Sequence, residues 1–190
     1  MSERFQDKYR IPSARLQNWD YGWNGIYFIT ICTEGREDYF GKISEMVMEL
    51  SEIGLFAQQF WFEIPNHFHF VDLDAFVVMP NHIHGILMID KTDYAINDPD
   101  INLKKVFLSA NNDITLGRKR FRNPGKENIS SIIGSYKSAV SKKAHSKNSC
   151  FDWQTRFYDH IVHSDREFGR IRQYIEDNPA NWGKDKFYGL

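Results

Sequence analysis

Residues 75–90 read AFVVMPNHIHGILMID, and no other stretch restricts the fold as much. Phe76, Val77, Val78 and Met79 form one apolar run; Ile83, Ile86, Leu87, Met88 and Ile89 form a second. Both runs suit pleated strands, and Pro80-Asn81 between them favours a turn. The pattern predicts a strand, a tight connection at Pro80-Asn81, and a second strand running back. Side chains alternate along a strand, so His82 and His84 share one face while Ile83 enters the other. Two imidazoles one strand period apart on a rigid element can grip a divalent metal. The plain alternative is a pair of surface or hydrogen-bonded histidines. A second run of this form, NHFHF, holds His67 and His69, but it follows a helix stop and lacks a preceding strand and turn. A metal site needs rigid support, so His82 and His84 are the stronger pair.

The remaining pattern supplies the layers. Residues 27–33, YFITICT, read as the first strand. A charged turn with Gly35 leads into two short strands or a hairpin over 39–50. Ser51 opens a helix with Ile53, Leu55, Phe56, Phe60 and Trp61 at near-helical spacing, and Pro65 stops it. Residues 130–145 read as a helix with Ile132, Ile133, Tyr136, Ala139 and Val140 on one side. A last strand lies around 157–162. Ser164 and Glu167 form a capping box that opens the final helix, whose core stripe is Phe168, Ile171 and Ile175. Tyr174 and Asn178, four apart, share a face of it. Pro179 ends it, because the residue before a proline avoids the helical region. This order of elements suits an α+β fold, a ferredoxin-like antiparallel sheet with helices packed mainly on one face. The 190 residues fit one domain, 1–190, with a basic insertion at 91–128.

The net charge is only −1, but its distribution is uneven. Residues 101–150 hold eleven Lys and Arg against two acids, Asp113 and Glu127, a balance of +9. The rest of the chain holds 13 basic and 23 acidic residues. Such asymmetry points to a basic surface for a polyanion on an acidic body, with a solvated loop as the plain alternative. Arg118, Lys119, Arg120 and Arg122 in that insertion, with Lys137, Lys142 and Lys143 on the helix after it, are the candidate contacts for such a polyanion. No apolar run approaches the roughly 20 residues of a membrane span. The segment MSERFQDKYR lacks a signal peptide's apolar stretch, and Cys32 and Cys150 form no Cys-x-x-Cys pair. A reduced, cytoplasmic protein with no membrane partner is expected.

The chemistry open to these residues is metal-assisted transfer at phosphorus. His82 and His84 leave most of a metal's coordination free. Asn178 can add an amide oxygen, acceptable to Mg²⁺ or Mn²⁺. Tyr174, one turn earlier, projects beside that site, and a tyrosine hydroxyl can form a covalent link to phosphorus. Such a link conserves the energy of the broken bond, so rejoining needs no ATP, and the sequence has no phosphate-binding Gly-rich motif. The alternative for Tyr174 is an aromatic packed beside Ile171 and Ile175.

MPNHIHG resembles the His-hydrophobic-His signature of the single-tyrosine HUH transposases. RIRQYIEDNPANWG, over 170–183, resembles the motif that carries their nucleophile, and FDWQTRFYDHIV is similar to the strand that precedes it. REP-associated tyrosine transposases are the branch most resembled. The resemblance implies binding of single-stranded or hairpin DNA, and cleavage and rejoining through a 5′-phosphotyrosine with a divalent metal. It assigns His82 and His84 to the metal and Tyr174 to the nucleophile. Asn178 falls where the wider family has a glutamine ligand, one methylene longer. Many members are homodimers and some act as monomers, so the oligomeric state stays open. Two rivals are a non-catalytic nucleic-acid-binding protein that kept the fold, and a metal-dependent hydrolase without a protein-linked strand.

Overall fold

The structure, a computed structural model, describes residues 20–92 and 127–189. Strands β1 (Gly25–Cys32), β4 (Val71–Val78), β5 (His82–Ile89) and β6 (Tyr158–Val162) form one sheet in the order β4-β5-β1-β6. Every pairing is antiparallel. The crossovers contain α1 (Glu52–Phe62) and α3 (Ile129–Ala144), which gives the two interleaved βαβ units of the ferredoxin-like plan. A separate hairpin, β2 (Gly41–Ser44) and β3 (Val47–Leu50), precedes α1. Glu45 and Met46 turn that hairpin with positive φ at both, the twist-matched two-residue geometry.

The alternation expected along β5 divides the molecule. Ile83, Leu87 and Ile89 join Tyr27, Ile29 and Ile31 of β1 in the main core, covered by α1 and α3. Tyr136 of α3 donates its hydroxyl to the Ala57 carbonyl of α1 at 2.9 Å, tying the two covering helices together. Gly85 lies on this side too, because an added Cβ would stand 2.2 Å from the Trp61 ring. Trp61 is fully buried there and stacks on Phe76. The opposite face carries His82, His84 and Ile86. Across it lies α4 (Asp165–Glu176), with Ile171 and Ile175 packed on Ile86. Between Leu73 and Phe76 the β4–β5 register shifts, and Asp74 in this bulge pairs with Arg172 of α4 at 3.3 Å.

Three local expectations change. Helix α1 ends at Phe62, and Pro65 sits in the first turn of a short α2 (Ile64–His67), where its missing N–H is not needed. Glu167 sends only half of the capping box home: Ser164 Oγ accepts from Glu167 N–H, but the Glu167 carboxylate accepts from His163 N–H at 2.9 Å and from His160 at 2.8 Å. Pro179 does not end the helical course. Asn178 keeps φ −59 and ψ −44, and Pro179 begins a 3₁₀ turn, Pro179–Lys184. A proline at a first helical position is tolerated, and the tighter turn carries the chain back across the sheet. The insertion expected at 91–128 falls mostly outside the described residues.

Gly85→Ala forces a methyl into the Trp61 ring. It is expected to cost about 1–3 kcal/mol, the usual range for overpacking. Urea unfolding of the variant against the parent checks this.

Candidate functional site

The site begins in the β4–β5 connection, which is buried rather than solvated. Its carbonyls are used: Pro80 O accepts from Phe40 N–H at 3.0 Å and Asn81 O from Thr33 N–H at 2.9 Å. The Asn81 side chain donates through Nδ2 to the Phe187 carbonyl at 3.1 Å. That bond sets the amide's orientation, so Oδ1 faces His82 Nδ1 at 2.9 Å. An amide oxygen only accepts, so Nδ1 carries the proton and His82 Nε2 keeps its lone pair. His84 Nδ1 meets Thr30 Oγ1 at 2.8 Å, from the neighbouring strand. With Nδ1 protonated towards Thr30, both Nε2 atoms converge as lone pairs, 3.1 Å apart. Two ligands about 2.1 Å from one ion at a right angle stand about 3 Å apart. The pair has a metal ion's bite, and each ring is oriented by a partner on its other nitrogen.

A third group joins them. One ligand atom each from His82, His84 and Asp185 lie within 4.8 Å of one another, and this group can hold a metal ion. Asp185 follows the 3₁₀ turn. One of its oxygens accepts from Phe187 N–H at 2.7 Å, and the other from Asn178 Nδ2 at 3.4 Å. Asn178 is 2% exposed, and its Oδ1 is buried without a hydrogen-bond partner. A buried orphaned acceptor costs stability unless something meets it, so this oxygen too fits a cation. Two imidazoles, a carboxylate and a free amide oxygen form a donor set suited to a divalent ion.

Tyr174 reaches this group from α4. Its hydroxyl is 3.2 Å from His84 Nε2, and its ring packs edge-on to Phe28. The side chain remains 42% exposed, open to a large ligand. Tyr174, Asn178 and Asp185 line a cleft of about 240 Å³ with Asp177, Asn181 and Lys184. Burial raises the phenol's pKa, the Asp185 charge raises it further, and a hydrogen bond from Asn178 works against both. The phenol therefore stays protonated at neutral pH. Burial drives His82 down to about 2, helped by His84, Arg36 and Lys186. His84 falls to about 3 through burial, then Lys186. Both imidazoles are neutral and ready to ligate.

The fold thus brings Tyr174, His82, His84 and Asn178 together within a single chain. His67, at the end of α2, and His69 after it are exposed and lie outside this group. Lys137, Lys142 and Lys143 lie on α3, against the opposite face of the sheet. Lys137 also spends its ammonium on the Gln154 carbonyl at 2.7 Å. Arg118, Lys119, Arg120 and Arg122 lie outside the described residues. Asp185 was missed in sequence. The signal was there in Trp182, Phe187 and Tyr188, apolar anchors around an acid in a segment otherwise read as a plain tail. Among the described residues no helix is long and apolar enough to cross a membrane.

The interleaved βαβ sheet is also the fold of a REP-associated tyrosine transposase solved with a REP hairpin. The two align with a TM-score of 0.56 and 17% identity, over 93% of this chain and 77% of that one. No protein-family model matches the sequence. An uncharacterized protein of Haemophilus influenzae is 34% identical over 178 residues, covering 93% of this chain and 92% of its own. The chain belongs to the same family as that protein.

Both imidazoles bind protons in the unfolded chain near pH 6.5 but resist them when folded. Their contribution to stability is therefore complete above about pH 7 and is lost as pH falls from 6.5 towards 3. The slope is about 1.4 kcal/mol per pH unit for each ring. Urea midpoints of chelator-treated protein between pH 7.5 and 5 should fall accordingly, and His84→Gln should flatten the decline. A flat parent profile would mean solvated rings.

Proposed function

We propose that the protein is a single-tyrosine HUH transposase-type enzyme. It cleaves and rejoins single-stranded or hairpin DNA through a 5′-phosphotyrosine. The observation that carries this reading is the 3.2 Å approach of the Tyr174 hydroxyl to His84 Nε2, beside a histidine pair with a metal's bite. The motifs MPNHIHG and RIRQYIEDNPANWG supply both partners of that approach.

His82, His84 and Asp185 would hold an ion such as Mg²⁺ or Mn²⁺, and Asn178 Oδ1 would be available as a further oxygen. When bound, the ion polarises the scissile phosphate and steadies its charge. Thr30 and Asn81 keep the histidine lone pairs aimed inward. Tyr174 attacks phosphorus, a P–O bond to the phenol oxygen forms, and the bond to the departing 3′ oxygen breaks, leaving a 3′-hydroxyl. Asp185, whose charge acts on the phenol, takes the phenol proton, and the departing 3′ oxygen receives it in turn. Rejoining is the reverse, with a 3′-hydroxyl as nucleophile. Phe28, edge-on to the Tyr174 ring, holds the hydroxyl's bearing through both steps. Arg118, Lys119, Arg120 and Arg122 bind the DNA backbone, and the protein works in the cytoplasm.

Incubation with 3′-labelled single strands from the DNA flanking its gene should yield label that migrates with protein on a denaturing gel. Tyr174→Phe removes only the hydroxyl and is expected to abolish this adduct while leaving DNA binding intact. His82→Ala should abolish it by losing the metal. Tyr158→Phe should keep it. An adduct that persists in Tyr174→Phe overturns the nucleophile, and cleavage with no adduct in the parent means hydrolysis.

Neutralising Arg118, Lys119, Arg120 and Arg122 together should weaken DNA binding and flatten its dependence on salt. On a single strand the slope should drop by about 0.7 for each phosphate that no longer meets a cation. Binding measured from 50 to 300 mM salt reads this directly; an unchanged slope places the segment away from DNA.

A further inference from the structure

Two cations stand beside the histidines, and no salt bridge to either is found among the described residues. Arg36 places its guanidinium carbon 4.0 Å from the centre of the Phe187 ring, and Lys186 its ammonium 4.6 Å from the same ring. That ring lies 4.5 Å from the His82 ring. Among the described residues neither cation makes a salt bridge, although Glu34, Glu37, Asp38 and Asp185 are close in sequence. Arg36 Nη1 is buried with no hydrogen-bond partner. A charged donor that no protein group meets is suited to an anion.

The backbone holds Arg36 there at a cost. Gly35 and Arg36 both take left-handed conformations, φ 62 and φ 60, and the second is uncommon for a residue with a side chain. Such strain persists where the surroundings impose it. Here Thr33 binds the Asn81 carbonyl by its N–H, and Glu34 N–H binds Asp152 O at 2.9 Å. The turn is thereby fixed to the residue before His82. Lys186 is fixed by its neighbours, since Asp185 accepts from Phe187 N–H and Phe187 O accepts from Asn81.

The charges of both residues reach His82, and that of Lys186 reaches His84. Two cations this close oppose a divalent ion as well as a proton. The arrangement makes sense when an anion lies between them and the metal. We infer that Arg36 and Lys186 form a phosphate clamp that binds a non-bridging oxygen of a phosphodiester on the side of His82. Metal and nucleic acid then bind cooperatively. This rests on the reading of the site as one that acts on DNA, and it names how the attacked phosphate is gripped. Arg36 offers a fork and Lys186 a point charge, so the phosphate is oriented as well as neutralised. The negative charge that builds on the phosphate during attack by Tyr174 falls beside both.

The test measures Mn²⁺ affinity of the full chain by electron paramagnetic resonance, with and without a ten-residue oligothymidylate. In the parent the oligonucleotide should tighten Mn²⁺ binding about tenfold, within the usual range of coupling between two sites. In Arg36→Gln, Lys186→Gln and the double variant this enhancement should vanish. Mn²⁺ alone should bind at least as tightly as to the parent, because a repulsion has gone. Weaker Mn²⁺ binding by the variants without DNA would show a merely structural role and overturn the clamp. So would an enhancement that survives in the double variant, or a parent with none. Lys186→Gln changes an exposed side chain and leaves the fold intact, so it decides the matter should Arg36→Gln unfold. The underlying reading fails separately, when the parent binds no Mn²⁺ that His82→Ala removes, or binds no oligonucleotide.

Discussion

Two neutral imidazoles face each other across 3.1 Å in a part of the protein that excludes water. Every nitrogen in such a pair must be accounted for, since an unmet polar atom in the interior costs about 1–3 kcal/mol. Asn81 and Thr30 meet the outer nitrogens. The Phe187 carbonyl holds Asn81, and Asp185 holds the Phe187 N–H. The inner nitrogens are left to one another and to the Tyr174 hydroxyl. The segment around Phe187 thus lies where the histidines require it, and the 3₁₀ turn that starts at Pro179 delivers it.

That requirement also explains the division of labour along β5. Its back face fills the core against Trp61, and Gly85 is the concession that lets the indole lie flat on the strand. Its front face carries the histidine pair. A strand in the middle of a sheet has little backbone freedom left, so with Asn81 and Thr30 on their outer nitrogens the two imidazoles are held in one geometry. Helix α4 lacks this advantage, and the Arg172–Asp74 pair and Ile171 and Ile175 anchor it instead.

The sheet and the histidine pair were legible because both follow from a period of two. His82 and His84 share a face under any hairpin register that buries Ile83. Tyr174 and Asn178 were legible for the same kind of reason, at a helical spacing of four. Asp185 was not. Its position depends on Asn178 staying helical before a proline, then on six residues of 3₁₀ turn, then on a hydrogen bond between Asn81 and Phe187 across 106 positions. Arg36 was hidden likewise, because its direction comes from a left-handed backbone that no side-chain pattern announces. The partial capping box at Ser164 has a similar origin: His160 on the adjacent strand competes for Glu167, and only tertiary structure brings it there.

The cleft is built from remote parts of the chain. Thr30 and His84 stand 54 positions apart, His84 and Tyr174 stand 90 apart, and Asn81 and Phe187 are more distant still. Pairings of such long range form after local ones, since each closes a large loop. A partly folded chain can own its core helices and its hairpin and still lack a metal-competent centre. The gathering of these ligands is then an all-or-none attribute of the finished molecule.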